Sequence, residues 1–357
     1  MCVTLGGLLE RVEREPDPER RFVLLMPTAN GPCRFGVYNL LDKVVIERLG
    51  LADRVRIWSP SDADYAEGMP PGLEALGLVA FASFDMLLAA LYDVRPVETS
   101  PGAAQAIFDR ATKRLNAHLE STRSEQLKLA PSLLTVANGR LFGCAEILRQ
   151  AALEFAAIRG ERDVPTVMVV GELYVRCEPF TNDFVVKRLE ERGLRVRFAP
   201  FIEWLEYTDY INRYEGLSRG FGARLSTLVQ HRVLTRTYDL LAGPLEWPKR
   251  TTIPESIAAA KPWITKDLTG EAVLTVGGPV HEWREGLIDG VVSVGPLECM
   301  PAKVAEAQFF HVAESTGLPS LSIPVNGDPV DPEMLDGFAF EVLSRFSAGR
   351  QEQAARA

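Results

Sequence analysis

Gly290-Val291-Val292-Ser293-Val294-Gly295-Pro296-Leu297-Glu298-Cys299-Met300-Pro301 is the stretch on which the fold turns. Residues Gly290–Val294 read as a buried strand, and Pro301 suits the first turn of a helix. Cys299 therefore falls where a strand ends and a helix begins. Open α/β sheets place ligands there, and the unpaired N–H groups of the helix start favour an anion. The same grammar occurs near the start of the chain: strand Phe22–Met26 is followed by Gly31-Pro32-Cys33-Arg34-Phe35-Gly36. Cys2 immediately precedes an amphipathic helix with Leu5, Leu8, Leu9 and Val12 on one face. Three thiols far apart in sequence share one local setting, which suggests a three-thiolate metal site.

Outward from these points the chain reads as α/β. After Cys33, Val37, Leu41, Val44 and Val45 share a helical face, and Val55–Trp58 forms the next strand. Residues 101–159 are helical in pattern and charged. Strand Thr166–Val170, a helix over Asn182–Arg192 and strand Arg195–Phe198 open a second α/β region, with more helix from Ile202 to Leu241. Strand Gly290–Val294, a helix carrying Ala305, Phe309 and Val312, and strand Ser320–Val325 complete it. The expected domains are 1–160, an N-terminal α/β domain with a helical extension, and 161–347, a C-terminal α/β domain, followed by a frayed tail over 348–357. The helix after Cys2 has no strand before it. In a repeating strand–Cys–helix scheme an upstream segment or another chain supplies that strand, so the chain is expected to be oligomeric.

Composition narrows the function. A formal net charge of -9 supplies no cationic footprint for nucleic acid or an anionic membrane surface. Glu10, Arg11 and Glu13 interrupt any apolar leader, and the expected location is cytoplasmic. The most apolar run, Leu76–Tyr92, contains Ser83 and Asp85 and reads as a buried strand followed by a core helix rather than a membrane span. Five cysteines, an odd number, do not make a disulfide framework in a reducing compartment. No CxxC pair or HExxH motif is present, so a metal has to be assembled by the tertiary fold.

Among candidate site residues, Arg34 brings a cation beside Cys33, which favours the thiolate. Glu172, Tyr174, Arg176 and Asn182 cluster at a strand-to-helix turn, where they either touch substrate or cap helices. The segment Glu203-Trp204-Leu205-Glu206-Tyr207 either walls a pocket or is ordinary helix. Cys177 is a reserve metal ligand. Cys144 lies inside helix and is expected to pack. His118, His231, His281 and His311 share no ligand spacing, and Gly277-Gly278 matches no phosphate-binding loop.

The blocks MCVTLGGLLE (1–10), FVLLMPTANGPCRFGVYN (22–39), GELYVRCEPFTNDFVVKRLEERG (171–193), EWLEY (203–207) and DGVVSVGPLECMPAKVAEAQFFHVAESTGLPSLSIPVNGDP (289–329) carry a family resemblance. With them the chain resembles the 2-hydroxyacyl-CoA dehydratase superfamily, specifically its activase-related, dehydratase D-component-like iron–sulfur proteins. The resemblance implies two flavodoxin-like parallel-sheet domains with helical insertions and an iron–sulfur cluster at their interface. By residue, the cluster ligands it implies are Cys2, Cys33 and Cys299; Arg34, Glu172 and Arg176 are catalytic candidates from their own placement, not from the resemblance. It also implies a separate ATP-dependent activase as electron donor, and a 2-hydroxyacyl-CoA substrate dehydrated after one-electron reduction. The cofactor expected is 4Fe-4S. Three thiolates leave one iron open to a substrate oxygen, whereas four close the cubane. A second reading is a double-cubane reductase of small molecules, and a third is a cluster-less scaffold or partner subunit.

Overall fold

The computed structural model describes residues 2–28, 33–61, 68–217 and 220–356; the side chains of Cys2, Val3, Arg34, Phe35, Arg350 and residues 352–356 lie outside the description. The chain forms two compact units, Met1–Met69 and Pro70–Ala357. In the first, α1 (Cys2–Glu13) is followed by β1 (Phe22–Leu25), α2 (Tyr38–Arg48) and β2 (Val55–Trp58). β1 and β2 are parallel, with Phe22 opposite Val55 and Leu25 opposite Trp58. Leu5 and Val12 of α1, Met26, Ile46 of α2, and Val55 and Ile57 of β2 make the core, so the predicted apolar face of α1 is the one that packs. α2 departs from its pattern. It buries Asn39, Asp42 and Ile46, while Val37, Leu41 and Val44 are exposed. A two-stranded sheet covers little area, and within this unit only one narrow stripe of α2 finds cover. Among the described residues both Asp42 carboxylate oxygens and Asn39 Oδ1 are buried without a hydrogen-bond partner, and burial raises the Asp42 pKa.

The second unit starts with four helices: α3 (Pro71–Val94), α4 (Ala103–Glu120), α5 (Leu129–Ala137) and α6 (Cys144–Ile158). Then come β3 (Thr166–Gly171), α7 (Leu173–Cys177), α8 (Val185–Glu190), β4 (Arg195–Phe198), α9 (Ile202–Tyr214), α10 (Phe221–Leu245), α11 (Ile253–Ala260) and α12 (Ala272–Arg284). β5 (Gly290–Pro296), α13 (Met300–Thr316), β6 (Ser320–Val325) and α14 (Pro332–Arg356) close the chain. The four strands form one all-parallel sheet in the order β4-β3-β5-β6. Such a sheet must be covered on both faces, and its strands are accordingly Val-rich throughout. Val167, Val169, Val196, Val292 and Val294 face a core shared with α3, α6 and α10. Met168, Val170 and Val291 face the opposite core, made with α9, α11, α12 and α13.

This arrangement corrects three expectations. The run Leu76–Tyr92 is neither strand nor strand plus helix: Pro71–Val94 is one helix with Pro71 in its first turn. It is long and apolar enough to cross a membrane by length and composition, yet Val79, Ala82, Leu87 and Ala90 are buried with the sheet valines, as in the core helix of a soluble protein. Helices α3 to α6 cover that sheet face, so they belong to the second unit and not to an N-terminal domain ending at 160. Helical backbone also continues through 348–356, where a frayed tail is expected.

Candidate functional site

The second unit's sheet winds in both directions from β3. The connection from β3 leads to β4 on one side, and the chain then returns to β5 on the other. The crevice beyond the carboxyl ends of β3 and β5 is thus the topological switch point, where ligands of open α/β sheets bind. Its walls are the β3–α7 and β5–α13 turns.

On the β3 side the backbone is tightly built. Gly171 has φ +115°, and a Cβ there would overlap the Val294 carbonyl of β5. The next residue, Glu172, donates its N–H to Val294 O at 2.9 Å and caps α7 by accepting from Val175 N–H at 2.8 Å. Asn182 is buried; its Nδ2 donates to the carbonyls of Val175 at 2.8 Å and Arg176 at 3.1 Å, and its Oδ1 accepts from Val185 N–H at 3.1 Å. Glu172 and Asn182 are therefore capping residues by geometry. Tyr174 is 38% exposed, so of the four clustered residues its ring is the one presented at the surface.

Arg176 is only 4% exposed. Its Nη1 donates to Gly171 O at 3.2 Å and its Nη2 to Pro200 O at 3.1 Å, tying the end of β3 to the turn after β4. Its Nε is buried with no hydrogen-bond partner. A buried cation is costly unless negative charge lies near it, and Arg176 acts electrostatically on Glu203, Glu271 and Asp85. Burial pushes Glu203 up to about 7 and Asp85 up to about 6, and Arg176 opposes both shifts. Asp85 also accepts from Ile202 N–H at 2.8 Å. Glu271, at the N-cap position of α12, is raised well above the usual carboxylate range by burial and by the charge of Glu172. It accepts a backbone hydrogen bond from Leu173, while its Oε1 is buried and unpartnered. Burial thus favours the protonated form of both Glu203 and Glu271.

Sequence reasoning met Glu203 only as part of an ambiguous segment and missed Glu271 altogether. The signal for Glu203 is its place just past the carboxyl end of β4. Glu271 had none, since its burial depends on Leu173, remote in sequence. Two ion pairs flank the carboxyls: Arg250 holds Glu206 through two bonds of 2.6 and 3.0 Å, and Arg197 Nε lies 2.6 Å from Glu282.

On the β5 side, Cys299 is half-buried and stands at the N-cap position of α13, a helix of 17 residues with Pro301 in its first turn. Its N–H donates to Pro296 O at 2.9 Å, and its carbonyl accepts from Lys303 N–H at 3.0 Å. A Cβ at Gly295 would lie 2.8 Å from Ala302 Cβ, so glycine lets α13 start close against the strand. In the first unit Cys33 is also half-buried, and a 3-10 turn, Arg34–Val37, separates it from α2. Cys2 begins α1. Its side chain, that of Arg34, and the Gly31-Pro32 turn lie outside the described residues. Cys177 ends α7 packed against the core, and burial pushes its thiol up to about 11 against the pull of Arg176. Cys144 is fully buried and likewise raised to about 11, a packing residue as expected. Among the described residues, no three His, Cys, Asp or Glu side chains are grouped to hold a metal ion. No family model, curated protein or solved structure matches the chain.

Proposed function

We propose that this protein is an iron–sulfur-cluster electron-transfer enzyme, or a component of one, of the 2-hydroxyacyl-CoA dehydratase type, with Cys2, Cys33 and Cys299 as cluster ligands. The observation that carries the reading is the placement of Cys299. A half-buried cysteine occupies the N-cap position of a 17-residue helix just beyond β5, beside the switch-point crevice. The N–H groups of that first turn favour negative charge on the sulfur, the state in which sulfur binds iron. The strand order β4-β3-β5-β6 corresponds to the first four strands of the flavodoxin-like order, which supports a flavodoxin-like C-terminal domain.

When bound, the cluster supplies low-potential one-electron reduction and an open iron site. The chain's own residues supply proton control. Burial favours the protonated form of Glu271 and raises Glu203 to about 7, which suits these carboxyls to donate to a leaving oxygen in the crevice. Arg176 fixes the backbone that frames the crevice through Gly171 O and Pro200 O, and it limits how far the carboxyls are raised. The proposed electron donor is an ATP-dependent activase, and the proposed substrate a 2-hydroxyacyl thioester.

Anaerobic purification with iron and acid-labile sulfide analysis tests this reading. Wild type is expected to carry both, Cys33→Ser and Cys299→Ser each to lose them, and Cys144→Ser to keep them. A colourless wild type without iron overturns the proposal, and equal iron loss in all three variants overturns the ligand assignment.

A further inference from the structure

The second unit contains a pocket of about 680 Å³ remote in role from the crevice, formed by α5, the turn after it, the start of α6, and α10. That volume lies within the range of roughly 300–1,000 Å³ typical of small-ligand sites. Leu134, Phe142 and Leu240 give it apolar walls, and the charged groups that line it are Arg140, Arg149, Arg236 and Glu146. Arg149 is already committed, since it donates to both Glu146 carboxylate oxygens at 2.6 and 3.1 Å. That pair cancels, and two cations remain. Arg236 makes one long bond, Nε to Gly139 O at 3.4 Å. The Arg140 guanidinium has no hydrogen bond or ion pair among the described residues.

The turn that carries Arg140 is strained. Gly139, Leu141, Phe142 and Gly143 all have positive φ, at 73°, 50°, 57° and 99°. Leu141 and Phe142 are not glycine, and such a conformation costs on the order of 1–3 kcal/mol per residue, which persists only where surrounding structure enforces it. Here it is enforced. Thr135 Oγ1 accepts from Phe142 N–H at 2.7 Å, and His118 Nε2 lies 2.7 Å from Phe142 O. Leu141 and Phe142 are both buried, while Arg140, just before them, is exposed at the pocket. A wall of aliphatic side chains beside the Arg140 guanidinium and the weakly held Arg236 guanidinium complements a ligand that is apolar at one end and anionic at the other.

We infer that this pocket binds an amphipathic organic anion, a carboxylate or phosphate ester on a short hydrocarbon body, with its charge on Arg140 and Arg236 and its hydrocarbon against Leu134 and Leu240. Titration calorimetry of the full chain with octanoate, hexyl phosphate and octanol tests this. At least one anion is expected to bind at one site per chain, at least about tenfold more tightly than octanol, since charge-assisted hydrogen bonds carry the difference. Octanoate alone identifies the carboxylate class, hexyl phosphate alone the phosphate class, and binding of both the shared chemistry. Arg140→Gln and Arg236→Gln are each expected to weaken the anion about tenfold. Leu134→Trp, at a position 65% exposed on the pocket wall, is expected to block it with the thermal midpoint unchanged. Octanol binding as tightly as the anions, full affinity in the double arginine variant, or no binding of either anion at millimolar concentration overturns the inference. None of these readouts involves iron, so failure here is distinct from failure of the cluster proposal.

Discussion

At Glu203, burial and a neighbouring guanidinium pull in opposite directions, and burial wins. The folded state therefore holds this proton up to about pH 7, whereas the unfolded chain releases it near the ordinary glutamate value of about 4.3. Between those two values folding takes up a proton, so stability falls as pH rises and levels off above pH 7. Asp85 acts in the same direction up to about pH 6. Urea unfolding at pH 5, 6, 7 and 8 is expected to show this decline. Glu203→Gln is expected to flatten it by less than about 1.4 kcal/mol per pH unit, the limit for one proton. An unchanged slope in that variant means that the carboxyl is not held protonated. Arg176 belongs to the same balance, since its charge opposes the rise of both Asp85 and Glu203, the latter together with Arg250.

The β3–α7 turn turns on a single glycine. At Gly171 a side chain faces both a φ of +115° and the Val294 carbonyl, while Gly193, with φ +82°, has open space around it. Gly171→Ala is expected to cost about 3 kcal/mol or more, or to prevent folding, and Gly193→Ala only about 1 kcal/mol. Denaturant midpoints of the two variants check the contrast, and equal losses refute it. Elements with clear local signals were legible in sequence. Ser320–Val325 is the strand that its pattern predicts, and α13 buries Ala305, Phe309 and Val312, the face read from spacing. α3 was not legible, because a long apolar run has no one-sided period and a helix packed on several sides looks like a buried strand. α2 misled for the opposite reason: it has a clear apolar face, and its own unit does not bury that face. The crevice was visible through Cys299 and Glu172, which sit beside strand ends, but Glu271 enters it through tertiary proximity that no local spacing encodes.

Across the whole chain, the two units differ in how much core they own. Among the described residues the first rests on six buried apolar side chains and two strands, below what sustains a sheet independently, whereas the second has two extensive cores. Hydrogen exchange of the intact protein is expected to release amides of β1 and β2 before those of β3 and β5; the reverse order refutes this ranking. Val23, Leu25, Leu40 and Leu41 are exposed on the first unit, so sedimentation at micromolar concentration is expected to show self-association, and a clean monomer counts against it. The sheet of the second unit has a temporal consequence. Thr166, at the start of β3, accepts from Asp289 N–H at 2.6 Å and donates to its carboxylate at 2.8 Å across 123 residues of sequence. At ribosomal speeds of roughly 5–20 residues per second, β3 waits on the order of ten seconds for β5 to be made. During that interval a valine-rich strand has one open edge, so the nascent chain is most exposed to aggregation, and most in need of a chaperone, while residues 172–289 are being translated.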